Sequence, residues 1–156
     1  MKMGGGLALI VLLAVAAAGY EMIAATVTVT GSWSLGINAT DLIAGGGSEL
    51  IPSYTSTGTS IVCNIGGINK AWRLNVHRQD VSWHASLTIS VRRTGGTGGS
   101  LSGGTVFQTV GTTAASFFTG EGPATDIPFE YQLTGVSTSL PADTYSTTIY
   151  ITLVLL

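Results

Sequence analysis

Charged residues are scarce in this sequence. Its 156 residues include 6 Lys and Arg against 8 Asp and Glu, so 9% of the chain is charged and the net charge is −2. Proteins that bind nucleic acid need clustered Lys and Arg to contact phosphates, and this composition excludes that class. It is also unlike an ordinary intracellular surface, whose solubility depends on mixed charge.

Cysteine and proline are scarce as well, with 1 Cys and 4 Pro. Cys63 has no partner for an internal disulfide. It shares the parity of Ile61 and Ile65 in an alternating segment, which predicts a buried thiol that packs as a small apolar side chain. The apolar fraction of 45% and the length suit one folded domain whose core needs neither disulfides nor a metal.

The first 25 residues differ from the rest of the chain. Lys2 gives a short basic start, and Leu7–Ala18 is an unbroken apolar run of twelve residues. This is the length of the hydrophobic region of a secretory signal peptide, whereas a membrane-spanning helix needs roughly 20 residues. We therefore predict that residues 1–25 form a leader helix and that cleavage after Ala25, or after Ala18, releases a secreted protein.

The alternative is a retained hydrophobic helix. Such a helix would contact the membrane through residues 4–25, or would serve as the packing helix of a filament subunit. A type IV pilin leader is a weaker alternative, because Glu21 lies too far downstream to act as the usual near-terminal glutamate. In either case the chain divides into residues 1–25 and a domain of residues 26–156.

Residues 26–38 give the clearest β-strand pattern. Apolar side chains of one parity alternate with Thr and Ser of the other, interrupted only by Gly31, which predicts one buried face, one solvated face and a bulge or close approach at the glycine. The apolar set consists of Val27, Val29, Trp33, Leu35 and Ile37.

Similar alternation recurs to the end of the chain, and no helical pattern follows residue 25. We predict seven or eight strands that form an all-β, immunoglobulin-like Greek-key β-sandwich, with a jelly roll or small barrel as the alternative. Segments 70–78 and 83–93 are predicted to pair as a hairpin across Arg78–Ser82. The glycine-rich segment Thr94–Gly104 is predicted to be a flexible loop.

No catalytic or metal-binding motif stands out. His77, Asp80 and His84 lie close together in sequence, but both histidines have the outward parity and the spacing matches no zinc motif. Glu121, Asp126 and Glu130 form a sparse acidic set without the register of a calcium loop or a glycosidase pair. We predict no enzyme activity, no metal and no cofactor.

Three tryptophans suggest a carbohydrate-binding alternative. Trp33, Trp72 and Trp83 have the surface to stack on sugar rings, although their predicted inward parity favours core packing. Asn38-Ala39-Thr40 is the glycosylation sequon of the predicted mature chain.

The two ends of the predicted domain resemble secreted filament subunits. Leu140–Leu156 (LPADTYSTTIYITLVLL) is similar to the closing strand of spore coat protein U-type and fimbrial-subunit domains, through Pro141, Ala142 and Tyr145, although Ser146 replaces their usual Thr. The opening stretch, TVTVTGSWSLGI, resembles their first strand, whereas the internal disulfide of fimbrial subunits is absent.

This resemblance implies polymerisation by donor-strand exchange, in which a strand of one subunit completes the sandwich of the next. The hypothesis is a secreted, non-enzymatic, pilin-like structural subunit of an extracellular filament or cell-surface layer, whose partner is itself. Val27, Val29, Trp33, Leu35 and Ile37 would form its assembly strand. The alternatives are a secreted β-sandwich module that binds cell-surface glycans and a domain tethered to the membrane by its leader.

Overall fold

The protein is an all-β structure of two packed sheets. The computed structural model describes the main chain of residues 5–11 and the whole of residues 25–57 and 61–156. Within these ranges there are twelve strands, one 3-10 turn at Ala39–Asp41 and no α-helix. The strands are β1 (Gly5–Val11), β2 (Thr26–Thr30), β3 (Trp33–Leu35), β4 (Ser53–Thr55), β5 (Val62–Gly66), β6 (Ala71–Ser82), β7 (Thr88–Arg93), β8 (Ser100–Gly103), β9 (Gln108–Thr109), β10 (Ala115–Glu121), β11 (Ala124–Thr134) and β12 (Ser146–Leu155).

The strands form two sheets whose order differs from the chain order. The first sheet has the order β3-β1-β12-β6-β10-β8, and the second has the order β2-β5-β11-β7-β9, with β4 also paired to β11. Every strand pair is antiparallel except β1 and β12, which run parallel. The predicted β-sandwich is confirmed.

Period-two alternation places one face of each long strand in the core. In β6 the inward side chains Trp72, Leu74 and Val76 are at most 1% exposed, while the residues between them are half-buried. Four further strands contribute to the same core through alternate residues. These residues are Cys63 and Ile65 of β5, Ile89 and Val91 of β7, Ile127, Phe129 and Tyr131 of β11, and Ile149, Ile151 and Leu153 of β12.

Strand β10 breaks the alternation. Phe117 and Phe118 are consecutive and both buried, because the register of β10 against β6 shifts between Ser116 and Phe118. Such a bulge turns two successive side chains towards the same side. Their rings meet edge to face with centroids 5.0 Å apart, and Phe118 also contacts Trp72.

The predicted hairpin between residues 70–78 and 83–93 is wrong. β6 pairs with β12 and β10 in the first sheet, whereas β7 pairs with β11 and β9 in the second. The chain crosses between the sheets at residues 83–87, so Trp83 is half-buried and Ala85 is exposed instead of facing the core. Trp83 donates its indole N–H to the carbonyl oxygen of Leu87 at 3.0 Å and lies under the guanidinium of Arg78.

The glycine-rich segment 94–104 is more ordered than predicted. Ser100–Gly103 forms β8 against β10, and Thr97 makes an isolated bridge with Thr125. Gly99, with a φ of +53°, lies so near the carbonyl oxygens of Glu121 and Pro123 that a Cβ there would clash. Glycine therefore permits a close main-chain approach here. The strand count rises above the predicted seven or eight through β8 together with β1, β3 and β4.

The leader also differs from the prediction. Gly5–Val11 is a β-strand and not part of a helix, while residues 1–4 and 12–24 lie outside the described residues. A short apolar run has no periodicity that separates a buried strand from a helix, and here the edges of two strands supply the main-chain hydrogen-bond partners. Among the described residues, none forms a helix long and apolar enough to cross a bilayer.

Candidate functional site

The candidate site is the gap in the first sheet between β3 and β12, which we call the β3/β12 gap. Strand β1 fills it with two different pairings. Its first half, Gly5–Leu7, pairs antiparallel with Trp33–Leu35 of β3, and its second half, Ala8–Val11, pairs parallel with Thr148–Ile151 of β12. The strand that completes this sheet therefore comes from the segment that is predicted from the sequence to be a leader.

Strand β12 is strongly held on its other side. It pairs with β6 along ten of its residues, from Ser146 to Leu155. Ile149 and Ile151 point into the core and are fully buried. Tyr145 precedes the strand and donates its hydroxyl hydrogen to the carbonyl oxygen of Pro141 at 2.9 Å, which fixes the turn into β12. The edge of β12 that faces β1 thus belongs to a strand that is paired along its whole length on the other side.

Strand β3 depends on β1. Within the described residues its ladder partner is β1 alone, and it stands at the end of the first sheet. Without Gly5–Val11, both β3 and the facing edge of β12 would lose their main-chain partners. Unpaired strand edges are prone to pair with another chain, because each buried N–H and C=O group without a partner costs free energy.

The structure places the five predicted assembly residues in both sheets. Val27 and Ile37 are buried, whereas Val29, Trp33 and Leu35 are half-buried against the core. β2 pairs with β5 in the second sheet over Thr26–Thr30, and β3 belongs to the first sheet. The stretch therefore pairs within its own sandwich and is not detached from it.

Gly31 marks the point where this stretch passes from the second sheet to the first. Its φ of +106° is readily accessible to glycine alone, so the interruption predicted from the sequence corresponds to a sheet crossing. Both strands on either side of Gly31 lie at sheet ends, β2 in the second sheet and β3 in the first. Neither strand is enclosed between two neighbours in the way that β12 is.

The histidine and carboxylate candidates are not brought together as ligands. His77 stacks on Tyr150 with centroids 5.0 Å apart, while Nδ1 of His84 lies 2.8 Å from Oγ of Ser86. Asp80 forms an ion pair with Arg78. In residues 25–57 and 61–156, no three side chains of His, Cys, Asp or Glu are grouped to hold a metal.

The acidic candidates have structural partners or exposed positions. Both Nε and Nη2 of Arg92 donate to Oε2 of Glu130, at 2.8 and 2.6 Å. The Arg92 guanidinium also lies over the ring of Phe107. Asp126 adopts a φ of +51° at the irregularity between β11 and β5, where its N–H donates to Oδ1 of Asn64.

The tryptophans form no exposed row. Trp72 is fully buried and donates its indole N–H to the carbonyl oxygen of Gly122 at 2.8 Å, whereas Trp33 and Trp83 are half-buried. No Trp, Tyr or Phe is fully exposed among the residues whose side chains are described. Glycan binding therefore stays an alternative prediction to which these residues add no support.

A small cavity of about 240 Å³ lies near the end of the predicted assembly strand. It is lined by Asn38, Ala39, Leu42, Leu50 and Thr138. Ligand pockets usually measure about 300–1,000 Å³, so this cavity is small for a substrate or cofactor. Oδ1 of Asn38 accepts hydrogen bonds from both the N–H and the hydroxyl of Thr40, which caps the Ala39–Asp41 turn.

Cys63 is fully buried, as predicted, and burial raises the pKa of its thiol to about 12. We expect a thiol-specific disulfide reagent at pH 8 to modify the folded protein about a thousandfold more slowly than the unfolded chain, because the thiolate is the reacting species. Absorbance of the released thiol, recorded with and without denaturant, checks this. Comparable rates in both states would contradict the buried assignment.

Burial of the same thiol makes the free energy of unfolding fall at alkaline pH. The folded protein keeps Cys63 protonated, whereas the unfolded chain ionises it near the ordinary pKa of 9.0. This contribution to the free energy of unfolding is therefore complete below about pH 9 and is lost as the pH rises towards 12. Burial also raises the pKa of Tyr131, which acts in the same direction.

No protein-family model, curated protein or solved structure matches this chain. An inference about its function therefore rests on the fold and on the β3/β12 gap.

Proposed function

We propose that this protein is a non-enzymatic structural subunit of an extracellular filament or cell-surface layer and that it polymerises by strand complementation. In this proposal the chain is secreted, loses residues 1–25 and has further copies of itself as partners. The observation that supports the proposal is the strand order β3-β1-β12, in which part of the predicted leader fills a place inside the first sheet.

The acceptor is the edge of β12. Loss of residues 1–25 removes β1 and leaves Thr148–Ile151 without a strand neighbour on that side. A strand from a second copy would restore the main-chain hydrogen bonds and cover the adjacent core residues. Addition of a strand to an open sheet edge gives affinity through the main chain and specificity through alternate side chains.

The donor in this proposal is the opening stretch of the mature chain. It lies at the ends of both sheets, and β3 loses its ladder partner when β1 is removed, so the cut that opens the acceptor also releases part of the donor. Val29, Trp33 and Leu35 are half-buried in their own sandwich, and full burial of each in the next subunit contributes up to about 1.5–3 kcal/mol. The donor side chains are Val27, Val29, Trp33, Leu35 and Ile37.

The surface composition suits a polymer. With 9% charged residues and a net charge of −2, neighbouring subunits repel one another weakly. Donor and acceptor are different surfaces of the same chain, so the contact is heterologous. A heterologous contact that does not close into a ring produces an open fibre.

Negative-stain microscopy of the native secreted material, together with intact-mass analysis of the same sample, tests the proposal. We expect filaments built from a species that begins near Thr26. Filaments that retain residues 7–25 would instead make the leader a packing element. A soluble monomer that begins near Thr26 would contradict the filament function and would direct attention to glycan-binding screens.

A pair of neighbouring substitutions tests the donor. We expect Leu35→Lys to reduce filament yield at least about tenfold, because a half-buried apolar side chain of the donor becomes charged. Ser34→Lys, on the exposed face of the same strand, should assemble normally. Thermal unfolding checks that both variants are folded. Equal filament yields from two folded variants would exclude β3 as part of the donor.

A further inference from the structure

Strand β1 pairs with both surfaces that the proposed assembly uses, the donor and the acceptor. Gly5–Leu7 pairs with β3, which belongs to the proposed donor, and Ala8–Val11 pairs with β12, the proposed acceptor. Given the proposed function, we infer that Gly5–Val11 is an intramolecular cap, which prevents a copy of the chain from polymerising while the leader is attached. Its loss then permits assembly.

The two pairings of β1 block both the acceptor edge of β12 and the β3 part of the donor. An assembling subunit must present a free β12 edge to one neighbour and a free opening stretch to another. β1 holds the first with four residue pairs and the second with three. A copy that keeps its leader can therefore neither extend a filament nor receive the next subunit, whereas one cut frees the edge of β12 and the β3 part of the opening stretch.

Covalent attachment gives the cap its advantage over a second copy. Thirteen residues, 12–24, join Val11 to Ala25. A covalent connection of this length holds β1 near the edge at an effective concentration of about a millimolar. A strand from another copy at micromolar concentration competes at about a thousandfold disadvantage for the same edge.

The cap loses this advantage once the connection is cut. Its pairing with β12 is parallel and covers four residues, and parallel ladders are slightly less stable per residue than antiparallel ones. Gly5 and Gly6 carry no side chain that could pack against the sandwich. The released leader therefore dissociates, and the opening stretch of another copy, which is longer than β1, replaces it.

Cleavage of the purified full chain tests the cap. A specific protease site is inserted after Gly19, the protein is produced without export so that the leader is retained, and light scattering and negative-stain microscopy follow the sample before and after cutting. We expect a monomer before cleavage and filaments after it. A large excess of the synthetic peptide GGLALIV should slow filament growth about tenfold or more.

Paired proline substitutions test the cap without a cut. Leu9→Pro with Ile10→Pro removes two N–H groups from the part of β1 that pairs with β12, so we expect this chain to form filaments uncut. Val15→Pro with Ala16→Pro, placed outside the described strand, should leave the uncut chain monomeric. Microscopy distinguishes filaments from amorphous aggregates of a misfolded variant.

The outcomes separate the cap from the proposed function. Equally fast filament growth from cut and uncut chains overturns the cap and leaves the filament function intact. Filaments that form uncut and disappear on cutting overturn the cap and make Gly5–Val11 itself the exchanged strand. If the cut chain stays folded and monomeric, with or without peptide, the proposed function fails and the cap fails with it.

Discussion

Replacement of Trp72 by alanine is expected to lower the free energy of unfolding by about 3–5 kcal/mol, the usual range for removal of a large aromatic side chain from a packed core. Trp72 is fully buried in β6, and its ring meets Phe118 edge to face at 5.8 Å. The substitution also leaves the carbonyl oxygen of Gly122 without the indole donor that bonds it at 2.8 Å. Domains of this size have total stabilities of about 5–15 kcal/mol, so the variant should be close to unfolding.

Denaturant titration followed by far-ultraviolet circular dichroism measures this loss. Trp83→Ala is the matched control, because Trp83 is half-buried and also donates its indole N–H to a main-chain carbonyl. Its loss should be clearly smaller than that of Trp72→Ala. Equal losses for the two variants would mean that burial at position 72 does not determine the effect.

Gly135→Ala is the second substitution for which we expect a large effect, a loss of about 3 kcal/mol or more. Gly135 follows β11 with a φ of +83°, which strains any residue with a Cβ. A Cβ at this position would also clash with the carbonyl oxygen of Ser86 and lie 2.9 Å from its carbonyl carbon. Ser86 cannot withdraw easily, because a hydrogen bond from the N–H of Leu87 to the carbonyl of His84 closes its turn.

The control for this prediction is Gly46→Ala. Gly46 has open space around its Cβ position and no positive φ, so the stability should change by no more than about 0.5 kcal/mol. Thermal unfolding of the two variants beside the unaltered chain gives the comparison. A midpoint for Gly135→Ala that matches the Gly46→Ala midpoint would show that the turn after β11 relaxes around the added methyl group.

Both large effects concern the sandwich itself and do not depend on the filament proposal. Trp72 joins the core to β10, and Gly135 brings the end of β11 against the turn before β7. Loss of either contact should weaken the domain whether it polymerises or not. Filament yields from destabilised variants are therefore informative only beside an unfolding measurement on the same sample.

The alternation of apolar and polar residues predicts the class of the fold and much of its core. Alternation along β6, β11 and β12 predicts most of the side chains that face inward, including Trp72, Tyr131 and Ile149, whereas Leu155 has the same parity as Ile149 and is exposed. The inward place of Cys63 followed from the same parity. These predictions succeed because successive side chains of any strand point to opposite faces, so the sequence alone separates buried from solvated positions.

The order of the strands in the two sheets depends on contacts that no local pattern predicts. Nothing local places β6 and β7 in different sheets, turns Phe117 and Phe118 to the same side, or sets Gly5–Val11 between β3 and β12. An apolar run of this length suits a helix as well as a buried strand, and its conformation depends on whether strand edges are available to its main chain. Strand pairing depends on contacts between residues far apart in the chain. Both strands that border the β3/β12 gap lie far from β1 in the sequence, so no local pattern predicts that β1 fills it.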